Sequence, residues 1–184
     1  MGGGTTEVAV ISLGGIVLSN SIRLAGDNLD EDIVNYIKKK YNMIIGLKTA
    51  EEIKMELGCA TPVMSERTLE VIGRDLENGL PKTIVISSEE IRVAIESSLA
   101  EIVEVIKITL EKTPPELSSD LMAQGIVLTG GGALIENFDQ LISKKTGIPV
   151  RVSESALEDV VNGTQKALSD LEKLRNVLKN KRRK

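Results

Sequence analysis

Gly125-Ile-Val-Leu-Thr-Gly-Gly-Gly-Ala-Leu134 is the stretch on which the reading of this chain turns. Ile126, Val127, Leu128 and Thr129 predict a short buried strand, and three glycines, Gly130, Gly131 and Gly132, follow at once. From about Glu136 the residues become polar and helix-forming. A strand feeding a glycine turn that feeds a helix lets a ligand approach the backbone, because residues without Cβ accept positive φ and expose their N–H groups. A plain tight turn between strand and helix also favours glycine, so both readings stand on this stretch alone. A second glycine run opens the chain, Gly2-Gly3-Gly4-Thr5-Thr6-Glu7-Val8-Ala9-Val10, with hydroxyls just behind it and a strand after it. Two such loops far apart in sequence suggest a ligand held from two sides.

Composition narrows the classes. The chain has 184 residues, 41% of them hydrophobic and 27% charged, with net charge −4. That suits one domain or two small lobes and argues against disorder and against bulk nucleic-acid binding. One Phe, two Tyr and no Trp make stacking on exposed bases an unlikely role. The absence of histidine removes Ser/His/Asp catalysis and His-based metal sites. Cys59, the single cysteine, has no partner base and reads as a small core residue. No apolar run is long enough to span a membrane and no leader pattern is present, so the chain reads as cytoplasmic.

In order, residues 5–12 and 16–24 are β-rich and flank Gly14-Gly15, a hairpin signal. From Leu29 the period becomes helical, with Leu29, Ile33, Val34, Tyr36, Ile37 and Tyr41 on one face and Asp27 or Asn28 as the cap. Thr49-Ala-Glu-Glu52 has the form of a capping box, and its helix ends at Gly58. Residues 68–86 read as a β-ribbon turning at Asn78-Gly79. Ser87 to Glu90 is a second capping box, opening a long helix with Ile91, Ala94, Ile95, Leu99, Ile102, Val103, Ile106 and Leu110 as its apolar stripe. Pro114-Pro115 ends that helix, and a short helix at 118–123 leads back to the glycine stretch. A helix over 137–145, a strand over 148–153, a short helix at 156–161 broken by Asn162-Gly163, and an amphipathic helix over 166–184 complete the chain. The alternation predicts an α/β fold with helices covering a mixed sheet, and residues 27–87 as a smaller inserted α+β lobe.

Four ordered motifs carry a family resemblance: Gly2-Gly-Gly-Thr-Thr-Glu-Val-Ala-Val10, Ala25-Gly26-Asp27, Thr113-Pro-Pro-Glu-Leu117 and Gly125-Ile-Val-Leu-Thr-Gly-Gly-Gly-Ala-Leu134. Together with Arg74-Asp-Leu and Gly79-Leu-Pro-Lys-Thr83, they resemble MreB, the bacterial actin-like family of rod shape. The resemblance implies an actin-like ATPase (ribonuclease H-like) fold. Only its second lobe is expected here: an inner subdomain, 1–26 with 88–184, carrying the phosphate-2 and adenosine loops, and an inserted outer subdomain, 27–87. The family's first lobe is expected to be absent. So is the Asp that normally precedes the first glycine run and organises magnesium, Met1 standing where the family has Ile.

Carried over by position, Gly2, Gly3, Gly4 and Thr5 would cradle the β/γ-phosphates, and Thr5 or Thr6 would orient the attacking water. Glu51, Glu52, Ile53 and Lys54 would face the ribose and base, and Gly130, Gly131, Gly132 and Ala133 would form the adenosine loop. The family's cofactor is ATP with Mg, and no metal ligand is assigned here. The implied partners are copies of itself or a full-length homologue in filaments, and the cell-wall elongation machinery; no nucleic acid is expected. The all-basic run from Lys173 onward reads as a solvated helix end or a contact with anionic membrane. Half a cleft predicts very weak ATP binding and no hydrolysis by this chain alone. Two other roles fit the same residues: an ATPase split over two chains, and a non-enzymatic module that joins or caps filaments of a homologue.

Overall fold

A computed structural model describes residues 1–169; the predicted amphipathic helix beyond 169 and its basic run lie outside the described residues. Strands β1 (Thr6–Ser12) and β2 (Gly15–Ile22) form an antiparallel hairpin. Its two-residue turn is Leu13-Gly14, one residue earlier than the glycine pair predicted, with φ of 49° and 74°. Helix α1 (Gly26–Tyr41) follows. Neither predicted residue caps it: Ala25 stands at the cap, and Asn28 reaches back so that its Oδ1 accepts the Ala25 N–H at 3.0 Å.

After α1, Asn42 adopts the left-handed conformation that ends the helix. It leads directly into β3 (Met43–Ile44), a strand too short to leave a period in the sequence. Helix α2 (Leu47–Leu57) starts from Gly46, so the predicted Thr49-Ala-Glu-Glu52 box does not form. Thr49 lies inside the first turn, already past the cap position that its hydroxyl would need to hold. β4 (Thr68–Asp75) and β5 (Pro81–Ser87) form the predicted ribbon, and β3 joins it as an outer strand. The ribbon turns through a five-residue loop, 76–80, rather than a two-residue Asn-Gly turn; Asn78 Oδ1 accepts the Leu80 N–H there at 2.9 Å.

Helix α3 (Ser88–Glu111) is the long helix, and its cap is the predicted one, Ser87 N–H donating to Glu90 Oε2 at 3.1 Å. The other oxygen of Glu90 accepts from Lys40 Nζ and the Tyr41 hydroxyl, both at 2.6 Å, so the cap also ties α1 to α3. Ile91, Ile95, Leu99, Ile102, Val103 and Ile106 are buried along its stripe. One hydrophobic cluster joins this stripe to Leu29, Ile33 and Ile37 of α1, Ile53 and Leu57 of α2, and Val71, Ile84 and Ile86 of the ribbon.

Beyond Pro114-Pro115 come α4 (Ser118–Gln124), β6 (Ile126–Leu128), a 3-10 turn over the glycines, α5 (Phe138–Thr146), β7 (Val150–Val152) and α6 (Asp159–Ser169). Helix α6 runs straight through Asn162-Gly163, against the predicted break. β6 pairs in parallel with β7, but it is not the buried strand expected: Val127 is 48% exposed. The predicted mixed sheet is also divided. Among the described residues β1–β2 and β6–β7 are separate two-stranded sheets, with β3–β4–β5 as a third.

Candidate functional site

Both glycine runs converge on Met1. Gly2 N–H donates to the Thr5 carbonyl at 3.0 Å, closing a tight turn with Gly3 and Gly4 at its tip. That turn is seated on the start of α1: Gly26 N–H donates to Gly2 O at 3.0 Å and Asp27 N–H to Gly3 O at 2.9 Å. A Cβ on Gly3 would come within 2.9 Å of Asp27 Oδ1. From the other side, the Met1 ammonium donates to the Thr129 carbonyl at 2.7 Å and Gly132 N–H donates to the Met1 carbonyl at 3.2 Å. Gly130 takes φ +85°, and a Cβ there would lie 2.2 Å from the Met1 carbonyl oxygen. Only glycine fits, both for its backbone angles and for the closeness of the two chains.

Helix α2 is fastened to the same place. Glu136 N–H donates to Gly58 O at 3.3 Å and Ala60 N–H to Glu136 O at 2.8 Å, a short bridge between the end of α2 and the residues behind the second glycine run. Arg67 and Glu136 add an ion pair across it. Lys54 Nζ reaches back to the Gly26 carbonyl at 3.0 Å and to the Asp30 carboxylate at 2.9 Å. Burial pushes the Asp30 carboxyl above its ordinary value, and the bonded ammonium opposes that rise.

The predicted residues therefore divide. Gly3, Gly4 and Thr5 are exposed, and among the described residues none of their amides donates to a protein acceptor. Glu51 and Glu52 are exposed on the first turns of α2. Gly131 is exposed beside Gly130, while Gly132 and Ala133 are buried. Three residues do other work. Thr6 is buried, its hydroxyl donating to the Leu24 carbonyl at 2.7 Å, which takes it away from any water at the turn. Ile53 is 1% exposed, a core side chain that faces no ligand. Lys54 is held by Asp30 and Gly26. The i, i+1 run 51–54 spreads over the whole circumference of a helix, so it cannot all face one site. Cys59 is buried, with its thiol pushed up by burial, in keeping with a core role.

Sequence reasoning missed Asp159. Its carboxylate accepts from the Thr129 hydroxyl and the Ser155 hydroxyl, both at 2.6 Å, and Gly130 N–H donates to Ala156 O at 2.8 Å. Hydrogen bonds from Ser153, Ser155 and Thr129 hold the Asp159 carboxyl at about 2. The start of α6 thus anchors the second glycine loop. Thirty residues separate Asp159 from Thr129, and no local pattern signals the pairing. Among the described residues no group of three His, Cys, Asp or Glu side chains stands close enough to hold a metal ion. No helix there is long and apolar enough to cross a membrane.

This geometry has close counterparts. The profile of the MreB/Mbl protein family matches residues 1–176. Cell shape-determining protein MreB of Escherichia coli is 50% identical over 168 residues, covering 91% of this chain and 48% of that protein. Cell shape-determining protein Mbl of Bacillus subtilis is 45% identical over 174 residues, covering 95% and 52%. Among solved structures, MreB5 of Spiroplasma citri bound to ADP superposes with a TM-score of 0.91 at 41% identity, over 96% of this chain and 54% of that one. Its AMPPNP complex gives 0.90. A MamK double helical filament, 22% identical with a TM-score of 0.69, shares the fold. The chain spans about half the length of the curated relatives it matches. The fold is the actin-like ATPase fold.

Proposed function

This chain belongs to the MreB/Mbl protein family, and from that membership we propose that it supplies one wall of a nucleotide cleft in an actin-like, cell-shape-determining filament protein. The observation that carries the reading is the turn at Gly3, Gly4 and Thr5. Its three residues are exposed and among the described residues none of their amides has a protein acceptor, while the start of α1 holds the turn in place and Met1 joins it to the second glycine loop. Amides arranged in this way accept phosphate oxygens without desolvating a charged side chain. In this reading Gly2, Gly3, Gly4 and Thr5 cradle the terminal phosphates of ATP, and the exposed Thr5 hydroxyl orients water. Glu51 or Glu52 accepts the ribose hydroxyls, and the turn at Gly130, Gly131, Gly132 and Ala133 borders the adenosine. Ile53 and Lys54 act from behind, by packing α2 and by pinning Gly26.

The chain corresponds, we infer, to the family's second lobe, with residues 1–26 and 88–184 as its inner subdomain and 27–87 as the inserted outer one. The bound ADP and AMPPNP of the MreB5 structures support a nucleotide role for the family. Phosphoryl transfer needs positioning from both sides of the γ-phosphate, and this wall alone leaves the phosphates in high dielectric. Binding by the chain alone is therefore weak and hydrolysis absent. Filament contacts with copies or homologues, and the elongation machinery as the downstream partner, belong to the same proposal.

Calorimetry tests it: ATP and magnesium titrated into the chain, then into the chain mixed with a separately made first lobe. The expected result is dissociation constants of about a millimolar or weaker alone, which is at most ~4 kcal/mol of binding, and at least tenfold tighter in the mixture. No heat in either titration overturns the nucleotide reading. A non-enzymatic filament-joining module is the second reading, favoured by the exposed Ile11, Leu13, Ile16 and Val17 at the tip of the β1–β2 hairpin. Co-pelleting with homologue filaments, lost when these four are made polar, would support it.

A further inference from the structure

Asn78-Gly79, which the sequence suggests as a ribbon turn, lies within the loop 76–80 that joins β4 to β5. Every residue of that loop is exposed. Gly79 takes φ +75°, and a Cβ there would meet nothing within 4 Å. Its N–H donates to the Asp75 carbonyl at 3.0 Å. The Asn78 side chain folds forward along its own backbone, its Oδ1 accepting the Leu80 N–H at 2.9 Å. The side-chain amide therefore lies over the peptide bond that joins the two residues, in open solvent.

The same dipeptide occurs a second time, and there the backbone is committed. Asn162-Gly163 lies inside α6, with Asn162 N–H donating to Glu158 O at 2.8 Å. Within a helix the Gly163 amide belongs to the i→i−4 ladder, so turning it towards its neighbour's side chain means opening the helix. At Gly79 the bond to open is the one to Asp75 O, at an exposed loop tip where local opening costs least.

We propose that Asn78 is a self-modification site, at which the chain converts its own side-chain amide to an aspartyl or isoaspartyl linkage. The Gly79 nitrogen gives up its proton and bonds to Asn78 Cγ. The Cγ–Nδ2 bond breaks and ammonia leaves with that proton, closing a cyclic imide between the two residues. Water then adds to either imide carbonyl and opens the ring. The net change is one water consumed and one ammonia released, with no redox step. Three features select this site. Gly79 has no Cβ to obstruct ring closure. The Leu80 N–H donates to the oxygen on which negative charge develops as the nitrogen attacks. Attacking and attacked groups are neighbours in one chain, so no encounter is needed.

The product differs from the parent where the ribbon turns. It carries a new carboxylate beside Glu77 and close to Asp75, whose cation, Lys82, is already paired with it at 3.0 Å. An isoaspartyl linkage also adds one carbon to the main chain. The bonds from Gly79 N–H to Asp75 O and from Leu80 N–H to position 78 then lose their register. The ribbon's buried residues, Val71, Ile84 and Ile86, lie farther along the strands and keep their packing.

The test is peptide mapping of the 184-residue chain after warm incubation at neutral pH, with mass spectrometry that separates aspartyl from isoaspartyl peptides. Both products accumulate at position 78 at least tenfold faster than at 162. In urea, with both sites unfolded, the two rates agree within a few-fold. Gly79→Ala slows the reaction several-fold in urea as well as in the folded chain, so that result stands even where the variant disturbs the loop. In the aged fraction the Leu80 amide exchanges at least tenfold faster, while that of Ile84 is unchanged. No product at 78 in the folded chain, or equal rates at 78 and 162 before unfolding, overturns the proposal. An unchanged Leu80 amide in the aged fraction overturns the loosening of the turn.

Discussion

Lys54 illustrates how a side chain placed in a site by its neighbours in sequence comes to act on the fold. Its ammonium is the partner of Asp30, which is 6% exposed, and it holds the Gly26 carbonyl beneath the first glycine turn. Removing one member of a buried pair leaves the other charge uncompensated. Lys54→Met is expected to cost about 3 kcal/mol at neutral pH, measured by urea denaturation. The pH dependence follows from the Asp30 carboxyl being raised in the folded chain, more so without its partner. A raised carboxyl favours the folded state when protonated, so the loss shrinks as pH falls from 7 towards the ordinary carboxylate range near 4. A loss independent of pH would mean Asp30 is not the cause. Leu13 makes the opposite case. It is fully exposed and sits at φ 49° in a turn whose first position favours Asn. Leu13→Asn is expected to stabilise by roughly 0.5–1 kcal/mol, as a shift in urea midpoint with unchanged slope. An unchanged or lower midpoint would show that the leucine side chain packs in solution.

At the scale of elements, legibility followed the range of the interaction that defines each one. Helix α3 was readable because its stripe recurs locally and its cap lies within four residues, Ser87 to Glu90. Helix α2 was readable as a helix but not at its start: it begins from Gly46 with an exposed Leu47, which no local pattern marks, while the Thr49-to-Glu52 pattern is only a coincidence of spacing. β3 left no signal, since two residues carry no alternation. The second glycine loop shows the same limit: its glycines announced themselves, but the element that holds it, the start of α6, did not. That anchor has a pH signature. The Asp159 carboxyl at about 2 lies below the ordinary value near 4, so its bonds to Thr129 and Ser155 stabilise the fold above about pH 4. That contribution is lost as pH falls through about 2. Exchange of the Gly130 amide, bonded to Ala156 O, is expected to quicken over that window, and in Asp159→Asn to lose the dependence. A Gly130 exchange profile identical in the variant would remove Asp159 as the anchor.

For the whole molecule, the decisive feature is that α3 serves both parts of the chain. Its N-terminal half meets α1, α2 and the ribbon, while Ile102 and Ile106 line a cavity between β1 and β6. Residues 27–87, proposed above as an insertion, therefore share a core with the segments on either side. A single cooperative thermal transition is expected, and Leu99→Ala, deleting a fully buried side chain, is expected to cost about 2–5 kcal/mol while keeping it single. Two separated transitions in calorimetry would show the insertion to be an independent unit.

Local matters were legible in the residues alone: most of the helices and strands, where glycine permits backbone to approach backbone, and the ordered motifs of an actin-like family. These rest on period, capping and turn chemistry within a few residues. Which of Glu51, Glu52, Ile53 and Lys54 face outward depended on the folded core, because a helix turns by 100° per residue and its orientation is set by the core it covers. The same packing buries Thr6 and brings Asp159 to Thr129. The separation of β1 from β6 was likewise beyond any local pattern, since more than a hundred residues lie between the two strands.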